Sequence, residues 1–287
     1  MTIPCIYGVN NLTNDYDVFL VDAWGVLHDG VDVFDDAISC LKVLKDANKT
    51  VIILSNAARR SSKLVQEMDK LGVPSDHFDF LFSSGEEAWQ AMFNRSEQYQ
   101  LEWGRQCLYI GNERSRSLLD GLDIEEVSSL DQASFMLVTG VENMQDRVEK
   151  YDNLLLDAAS RNLPMVCANS DRIAVRGGVP YFCGGALAIR YRELGGRVFE
   201  FGKPHRPIYE RCLSVLPDTA ASRILAIGDS FETDMPGASN MGIDSLFVTQ
   251  GIHVEMFQQE SNYQKALDKL METWECQPRA LIDYLKW

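Results

Sequence analysis

The sequence predicts an α/β protein: a doubly wound parallel-sheet core with a second α/β domain inserted into it. Three observations carry this. Short apolar runs recur along the chain, each closed by a turn or polar signal, as the buried strands of a parallel sheet require. Amphipathic stretches alternate with them, the pattern of crossover helices. Four of the runs lead into residues able to do chemistry: Asp22, Ser55, Lys203 and Asp229.

The pattern begins at Asp17 to Gly30. Val18-Phe-Leu-Val21 stops at Asp22, and Gly25 follows where the chain has to turn sharply. Ligands of open parallel sheets gather beyond the carboxyl ends of the strands, so Asp22 is expected at that edge. Residues 34–47 carry Ala37, Ile38, Leu41, Leu44 and Ala47 at helical spacing, with Asp35 and Asp36 at the favourable end of the helix dipole. Val51-Ile-Ile-Leu54 is a second strand, ending in Ser55-Asn56. Ser61 or Ser62 caps a helix bearing Leu64, Val65, Met68 and Leu71, which stops at Gly72.

From about 80 to 198 the alternation continues, with strands at 79–83, 107–110, 135–138 and 164–168 and helices at 85–93, 114–120, 147–161 and 185–194. Polar stretches at 94–104 and 140–146 interrupt it. Gly177, Gly178, Gly184 and Gly185 mark an irregular loop around Asn169-Ser-Asp171. No G-x-G-x-x-G follows a strand, so no dinucleotide site is read. A strand at 197–201 leads into Gly202-Lys203-Pro204-His205, and a helix fits 207–216. Another strand at 223–227 ends in Gly228-Asp229-Ser-Phe-Glu232-Thr-Asp234. A strand at 245–248 follows, and helical patterns close the chain to Trp287. The domain expectation is a core of 1–82 and 199–287 and an inserted cap of 83–198.

Composition bounds the function. The 287 residues are 46% hydrophobic and 24% charged, ordinary values for a globular chain. The net charge of −15 argues against a nucleic-acid or anionic-membrane partner, both of which want a basic face. Seven scattered cysteines include no C-x-x-C pair, which speaks against zinc and for reduced thiols of a cytoplasmic protein. No basic-then-apolar leader and no membrane-length apolar stretch is present.

Taken singly, Ser55 reads as a turn residue, Lys203 as a solvated charge, and Asp229 and Asp234 as turn and helix-start acids. Together at one sheet edge, three carboxylates, a hydroxyl and a lysine suit Mg²⁺ and a phosphate group. No Walker-A sequence is present, which excludes a P-loop enzyme.

In order along the chain, Phe19-Leu-Val-Asp22-Ala-Trp-Gly25, Val51-Ile-Ile-Leu-Ser55-Asn56, Gly202-Lys203-Pro204 and Ile227-Gly228-Asp229 to Asp234 resemble the four motifs of the haloacid dehalogenase superfamily, whose core is Rossmann-like. The position of the long insert, with Gly-Lys-Pro after it, resembles the subfamily of nucleotide, sugar-phosphate and nitrophenyl-phosphate phosphatases. The resemblance implies that Asp22 attacks phosphorus to form an aspartyl-phosphate. It implies Mg²⁺ held by Asp22, the Trp24 main-chain oxygen, Asp229 and Asp234, and Lys203 paired with phosphate and Asp22. Ser55 and Asn56 would bind the phosphoryl group, and Asn169, Asp171 and Arg176 the rest of a small phosphorylated metabolite. A monomer or homodimer is expected.

One position departs from the pattern. Phosphatases of this superfamily carry a second Asp two residues after the nucleophile, as general acid and base. Trp24 stands there, and such a group is worth about 10²–10⁴-fold. Asp22-Ala-Trp-Gly25 resembles instead the motif of dehalogenases, which use no metal. Asp229 and Asp234 favour the metal site, because unneutralised acids beside an anionic nucleophile are costly. The insert's place after the second motif agrees, since dehalogenase caps lie between the first two. The expectation is Mg²⁺-dependent phosphomonoester hydrolysis with weakened turnover. The alternatives are a low-turnover phosphometabolite-binding regulatory protein or a dehalogenase-like hydrolase.

Overall fold

The computed structural model describes residues 3–259 and 263–287. Within them the strands are β1 (Val18–Val21), β2 (Thr50–Ser55), β3 (Phe80–Ser83), β4 (Gln106–Ile110), β5 (Glu125–Val127), β6 (Phe135–Val138), β7 (Met165–Cys167), β8 (Ile173–Arg176), β9 (Val179–Phe182), β10 (Val198–Glu200), β11 (Ile224–Gly228), β12 (Asp244–Val248) and β13 (Ala280–Ile282). They form a six-stranded sheet in the order β13-β12-β11-β1-β2-β3, a five-stranded sheet in the order β10-β7-β6-β4-β5, and the hairpin β8-β9.

The six-stranded sheet is parallel throughout, with β1 at its centre pairing Val18 to Val21 with Ile224 to Ile227 on one side and with Thr50 to Ile53 on the other. Its strand order reverses direction at β1, the switch point where such sheets open a crevice. All four residues of β1 are buried because both faces are covered. Phe19 and Val21 pack with Ala37, Cys40, Leu41 and Leu44 of the helix Asp35–Asp46. Val18 and Leu20 pack with Ile208, Tyr209 and Cys212 of the helix Arg206–Ser214. Each fully buried large apolar side chain contributes about 1.5–3 kcal/mol. The helix Ser61–Leu71 ends as its sequence requires: Gly72 takes φ +114°, and its N–H reaches back to the Met68 and Asp69 carbonyls.

The five-stranded sheet is also parallel and also buried on both faces. Ile110, Met136, Val138 and Met165 face one cluster with Leu155 and Leu187. Tyr109, Phe135, Leu137 and Val166 face another, built on Trp103, Trp89 and Met92. Trp89 and Met92 belong to the helix Ser84–Asn94, which starts directly after β3 under a side-chain cap from Ser83.

Three local expectations are corrected. The glycine-marked region after Asp171 is the antiparallel hairpin β8-β9, because Gly177 and Gly178, both at positive φ, supply its turn. The three-residue β5 was missed, since Glu125-Glu-Val127 has no apolar run to announce it. The helical reading of the C-terminus holds for Val254–Gln259 and Tyr263–Trp274 but fails at β13, whose three residues are too few to show a period. No helix among the described residues is long and apolar enough to cross a membrane.

Candidate active site

Asp22 follows β1 directly, and its N–H continues the ladder to the Ile227 carbonyl at 2.8 Å. That bond fixes the carboxylate at the carboxyl edge of the sheet. Gly25 then turns the chain with φ +83°. Asp229 follows β11 and is buried between two glycines. A Cβ on Gly25 would stand 2.0 Å from its Oδ2, and a Cβ on Gly251 2.1 Å. The same Oδ2 accepts the Ile252 N–H at 2.7 Å. Asp234 opens the helix Asp234–Asn240, and its Oδ2 accepts the Ser230 N–H at 3.1 Å.

Lys203 joins these acids. Its Nζ donates to Asp22 Oδ1 at 2.5 Å and to Asp234 Oδ1 at 2.8 Å, and it is 3% exposed. Asn56 holds the lysine backbone at both ends: its Oδ1 accepts the Lys203 N–H at 2.7 Å, and its Nδ2 donates to the Lys203 carbonyl at 3.1 Å. A Cβ at residue 202 would stand 2.4 Å from Asn56 Oδ1, so Gly202 permits the approach. Ser55 Oγ accepts the Ala57 N–H at 3.2 Å at the end of β2.

Carboxylate oxygens of Asp22, Asp229 and Asp234 lie within 4.8 Å of one another. Three carboxylates therefore share one ammonium in a dry place. Burial, and then Asp234, push the Asp22 carboxyl up to about 8 against the pull of Lys203. Burial, Asp22 and Asp234 push Asp229 well above the usual carboxylate range. Burial would lower Lys203, but Asp22 and Asp234 hold it well above the ordinary lysine value. An all-oxygen donor set with surplus negative charge fits a hard divalent cation.

The residues expected to bind the remainder of a substrate divide. Asp171 is near the lysine: Asn56 Nδ2 donates to its Oδ1 at 2.8 Å and to Ser170 Oγ at 2.9 Å. Burial pushes Asp171 up to about 6. Asn169 shapes that turn, its Oδ1 accepting the Asp171 N–H at 2.9 Å. Arg176 is exposed on the hairpin, within electrostatic reach of Arg59 and Tyr181. The hairpin leans on the loop after Asp22. Trp24 Nε1 donates to the Val175 carbonyl at 2.7 Å, and Gly177 N–H points to the Asp29 carbonyl at 3.4 Å. Trp24 stacks edge-on with His28 and Tyr181, at 5.2 and 6.4 Å between ring centres. Burial, and then Arg59, hold His28 down at about 4, and its Nδ1 accepts the Gly30 N–H.

Sequence reasoning missed Arg59, Tyr181 and Gly251. Arg59 sits three residues after Asn56 as one of a basic pair, which alone does not mark it; the other two carried no signal.

The central acids and lysine at the edge of a parallel sheet define a hydrolase-type site, and the chain belongs to the haloacid dehalogenase-like hydrolases. Residues 19–125 match the family described as haloacid dehalogenase-like hydrolase, and residues 200–286 match one described as HAD-hydrolase-like. A structure of a hydrolase of the haloacid dehalogenase-like family from Brucella suis is 33% identical, with 98% of this chain and 99% of that chain covered and a TM-score of 0.85. A possible sugar phosphatase from Cytophaga hutchinsonii shares the fold at 20% identity, with 98% of each chain covered and a TM-score of 0.77. The 5'-nucleotidase YutF of Bacillus subtilis is 26% identical over 243 residues, 83% of this chain and 88% of that protein.

Proposed function

We propose that the protein is a Mg²⁺-dependent phosphomonoester hydrolase with Asp22 as nucleophile. The observation that carries this is the bond from Lys203 Nζ to Asp22 Oδ1 at 2.5 Å beside the acids Asp229 and Asp234. Asp22, Asp229, Asp234 and the Trp24 main-chain oxygen would hold the cation. Bound there, Mg²⁺ supplies positive charge that orients and neutralises the phosphoryl group.

The chain's own residues do the rest. Asp22 attacks phosphorus, an Asp22–phosphorus bond forms, and the bond to the leaving oxygen breaks with its electron pair. Water then attacks the aspartyl-phosphate, releasing phosphate and restoring Asp22. Splitting the hydrolysis makes two easier steps of one hard one. Lys203 keeps Asp22 oriented and offsets phosphate charge. Ser55 is the hydroxyl available to the phosphoryl oxygens, and Asn56 holds Lys203 in place. Residues 83–198 act as a cap that excludes water and reads the leaving group, with Asn169, Asp171 and Arg176 on its contribution. The name of the Bacillus subtilis relative, a 5'-nucleotidase, supports a phosphorylated metabolite as substrate. The buried thiols of Cys40, Cys107, Cys167, Cys183, Cys212 and Cys276 support a cytoplasmic location.

A second reading has one observation behind it. Trp24 cannot give the leaving oxygen a proton, which favours a phosphometabolite-binding protein of low turnover. Carbon–halogen displacement is disfavoured, because the carboxylates of Asp229 and Asp234 stand within 4.8 Å of the Asp22 carboxylate. Release of inorganic phosphate from a mixed panel of phosphoesters, with and without Mg²⁺, decides between the readings. Hydrolysis is expected only with the cation. Tight binding of phosphoesters without release would support the regulator, and halide release from 2-haloacids, assayed alongside without metal, the dehalogenase.

A further inference from the structure

Arg59 is a buried cation that the chemistry at Asp22 does not use. It is 8% exposed, and its Nε has no hydrogen-bond partner. Glu67 Oε2 stands 3.1 Å from that nitrogen but outside hydrogen-bonding geometry. The same oxygen accepts from Arg114 Nη2 at 2.8 Å. Arg176 is the third guanidinium within electrostatic reach of Arg59. Glu67 is thus shared between Arg59 and Arg114, and Arg176 adds a third positive charge with no acid paired to it among the described residues. The nearby acids are engaged: Asp29 Oδ1 accepts the Val31 and Asp32 N–H groups, and Asp171 Oδ1 accepts from Asn56. Burial, and then Arg114, hold Arg59 below its ordinary value. An incompletely paired buried charge is costly, and an anionic ligand removes that cost.

The position relative to Asp22 follows from the aromatic residues. Trp24 is two residues beyond the nucleophile. It packs against His28, which feels Arg59 and Arg114, and against Tyr181, which feels Arg59 and Arg176. The arginines therefore neighbour the rings packed on Trp24, and on the phosphatase reading a leaving group that passes the indole reaches them.

We propose that Arg59, Arg114 and Arg176 form an anion subsite that takes a carboxylate or a second phosphate on the leaving group, so that the preferred substrates are phosphoesters whose leaving group is itself negatively charged. Guanidinium forks match both oxyanions bidentately. The inference rests on the phosphatase reading for the orientation of the substrate.

The test uses three aryl phosphates of like shape with Mg²⁺ present: para-carboxyphenyl phosphate, its neutral amide para-carbamoylphenyl phosphate, and para-phenylene bisphosphate. The carboxylate, the bisphosphate or both should exceed the amide about tenfold or more in kcat/KM. Which of them does so identifies the anion. Arg176→Gln, at an exposed position, and Arg114→Gln should each bring that ratio towards one. Calorimetry with the non-hydrolysable para-carboxybenzyl and para-carbamoylbenzyl phosphonates should show the same preference in affinity. Equal kcat/KM and equal affinity for charged and neutral compounds overturn the proposal, as does a preference that neither arginine variant reduces. If nothing is hydrolysed but the charged phosphonate still binds more tightly in an arginine-dependent way, the hydrolytic reading fails and the anion subsite stands.

Discussion

The indole N–H of Trp24 donates to the Val175 carbonyl at 2.7 Å. The bond spends the only polar atom of the side chain two residues beyond Asp22, where the proposed mechanism would call for a proton donor. It also ties the nucleophile's loop to the hairpin β8-β9. On the proposed hydrolysis, an indole held this way would position backbone and would move no proton.

Leaving groups should therefore be ranked by basicity. An alkoxide needs a proton as it departs, whereas a phenolate or a carboxylate needs little help. Alkyl phosphates should be disfavoured against aryl or acyl phosphates by roughly 3–5 kcal/mol of barrier, at ~1.4 kcal/mol for each tenfold. Trp24→Asp should raise alkyl-ester turnover preferentially, provided the vacated volume does not collapse. The measurement is kcat/KM on one aryl and one alkyl phosphate in both proteins. Equal wild-type rates, with no gain from the aspartate, would show that another residue supplies the proton.

Metal affinity should depend on the packing around Asp229 as much as on its charge. Asp229→Ala should weaken Mg²⁺ binding at least about tenfold, because a carboxylate ligand is lost. Gly25→Ala should do nearly the same with every ligand retained, since its Cβ would lie 2.0 Å from Asp229 Oδ2 at a φ of +83°. Asp22→Asn should abolish phosphate release. Calorimetric Mg²⁺ titration of the Asp229 and Gly25 variants, and phosphate release by Asp22→Asn, check this; unchanged affinity in Gly25→Ala would dismiss the packing argument.

Asn56 is expected to matter through Lys203. Asn56→Ala removes the acceptor of the buried Lys203 N–H, at a cost of about 1–3 kcal/mol. Asn56→Asp keeps the acceptor but loses the donor to Asp171 Oδ1, and it sets two carboxylates together. It should lower activity more than stability at neutral pH. Thermal unfolding and phosphate release, measured on both variants, separate the two effects.

His253 gives a pH dependence with a definite sign. Its Nε2 accepts the Phe231 N–H at 3.0 Å, and burial lowers its pKa to about 4. The unfolded chain takes up that proton near pH 6.5, before the folded one does. The stabilisation is therefore complete above the unfolded value and is lost as pH falls towards about 4, up to about 3 kcal/mol in all. His253→Gln keeps an acceptor without the titration. The stability gap between wild type and this variant, measured by denaturant unfolding in chelator, should narrow from pH 7 to pH 4. A gap that stays constant would mean the imidazole is already solvated.

The central strands were legible because β1, β2 and β11 are buried on both faces and so read as unbroken apolar runs before Asp22, Ser55 and Asp229. Lys203 was legible through its glycine and proline neighbours. The hairpin β8-β9 was not, because Ile173-Ala-Val-Arg176 and Val179-Pro-Tyr-Phe182 have neither the length nor the alternation of a core strand. Arg59 was hidden for a different reason. Its significance lies in Arg114 and Arg176, which are distant in sequence and meet it only through the fold.

The route of the chain places Lys203 where two structures join. Val198–Glu200 completes the second sheet as β10, and only Phe201 and Gly202 separate that strand from the lysine. The ammonium that balances Asp22 is thus carried on one of the two threads connecting the sheets, and Asn56, on the far side of the chain order, moors it to the first. Two residues are all the chain between a strand of the second sheet and an ammonium whose other end is fastened to the first through Asp22 and Asp234.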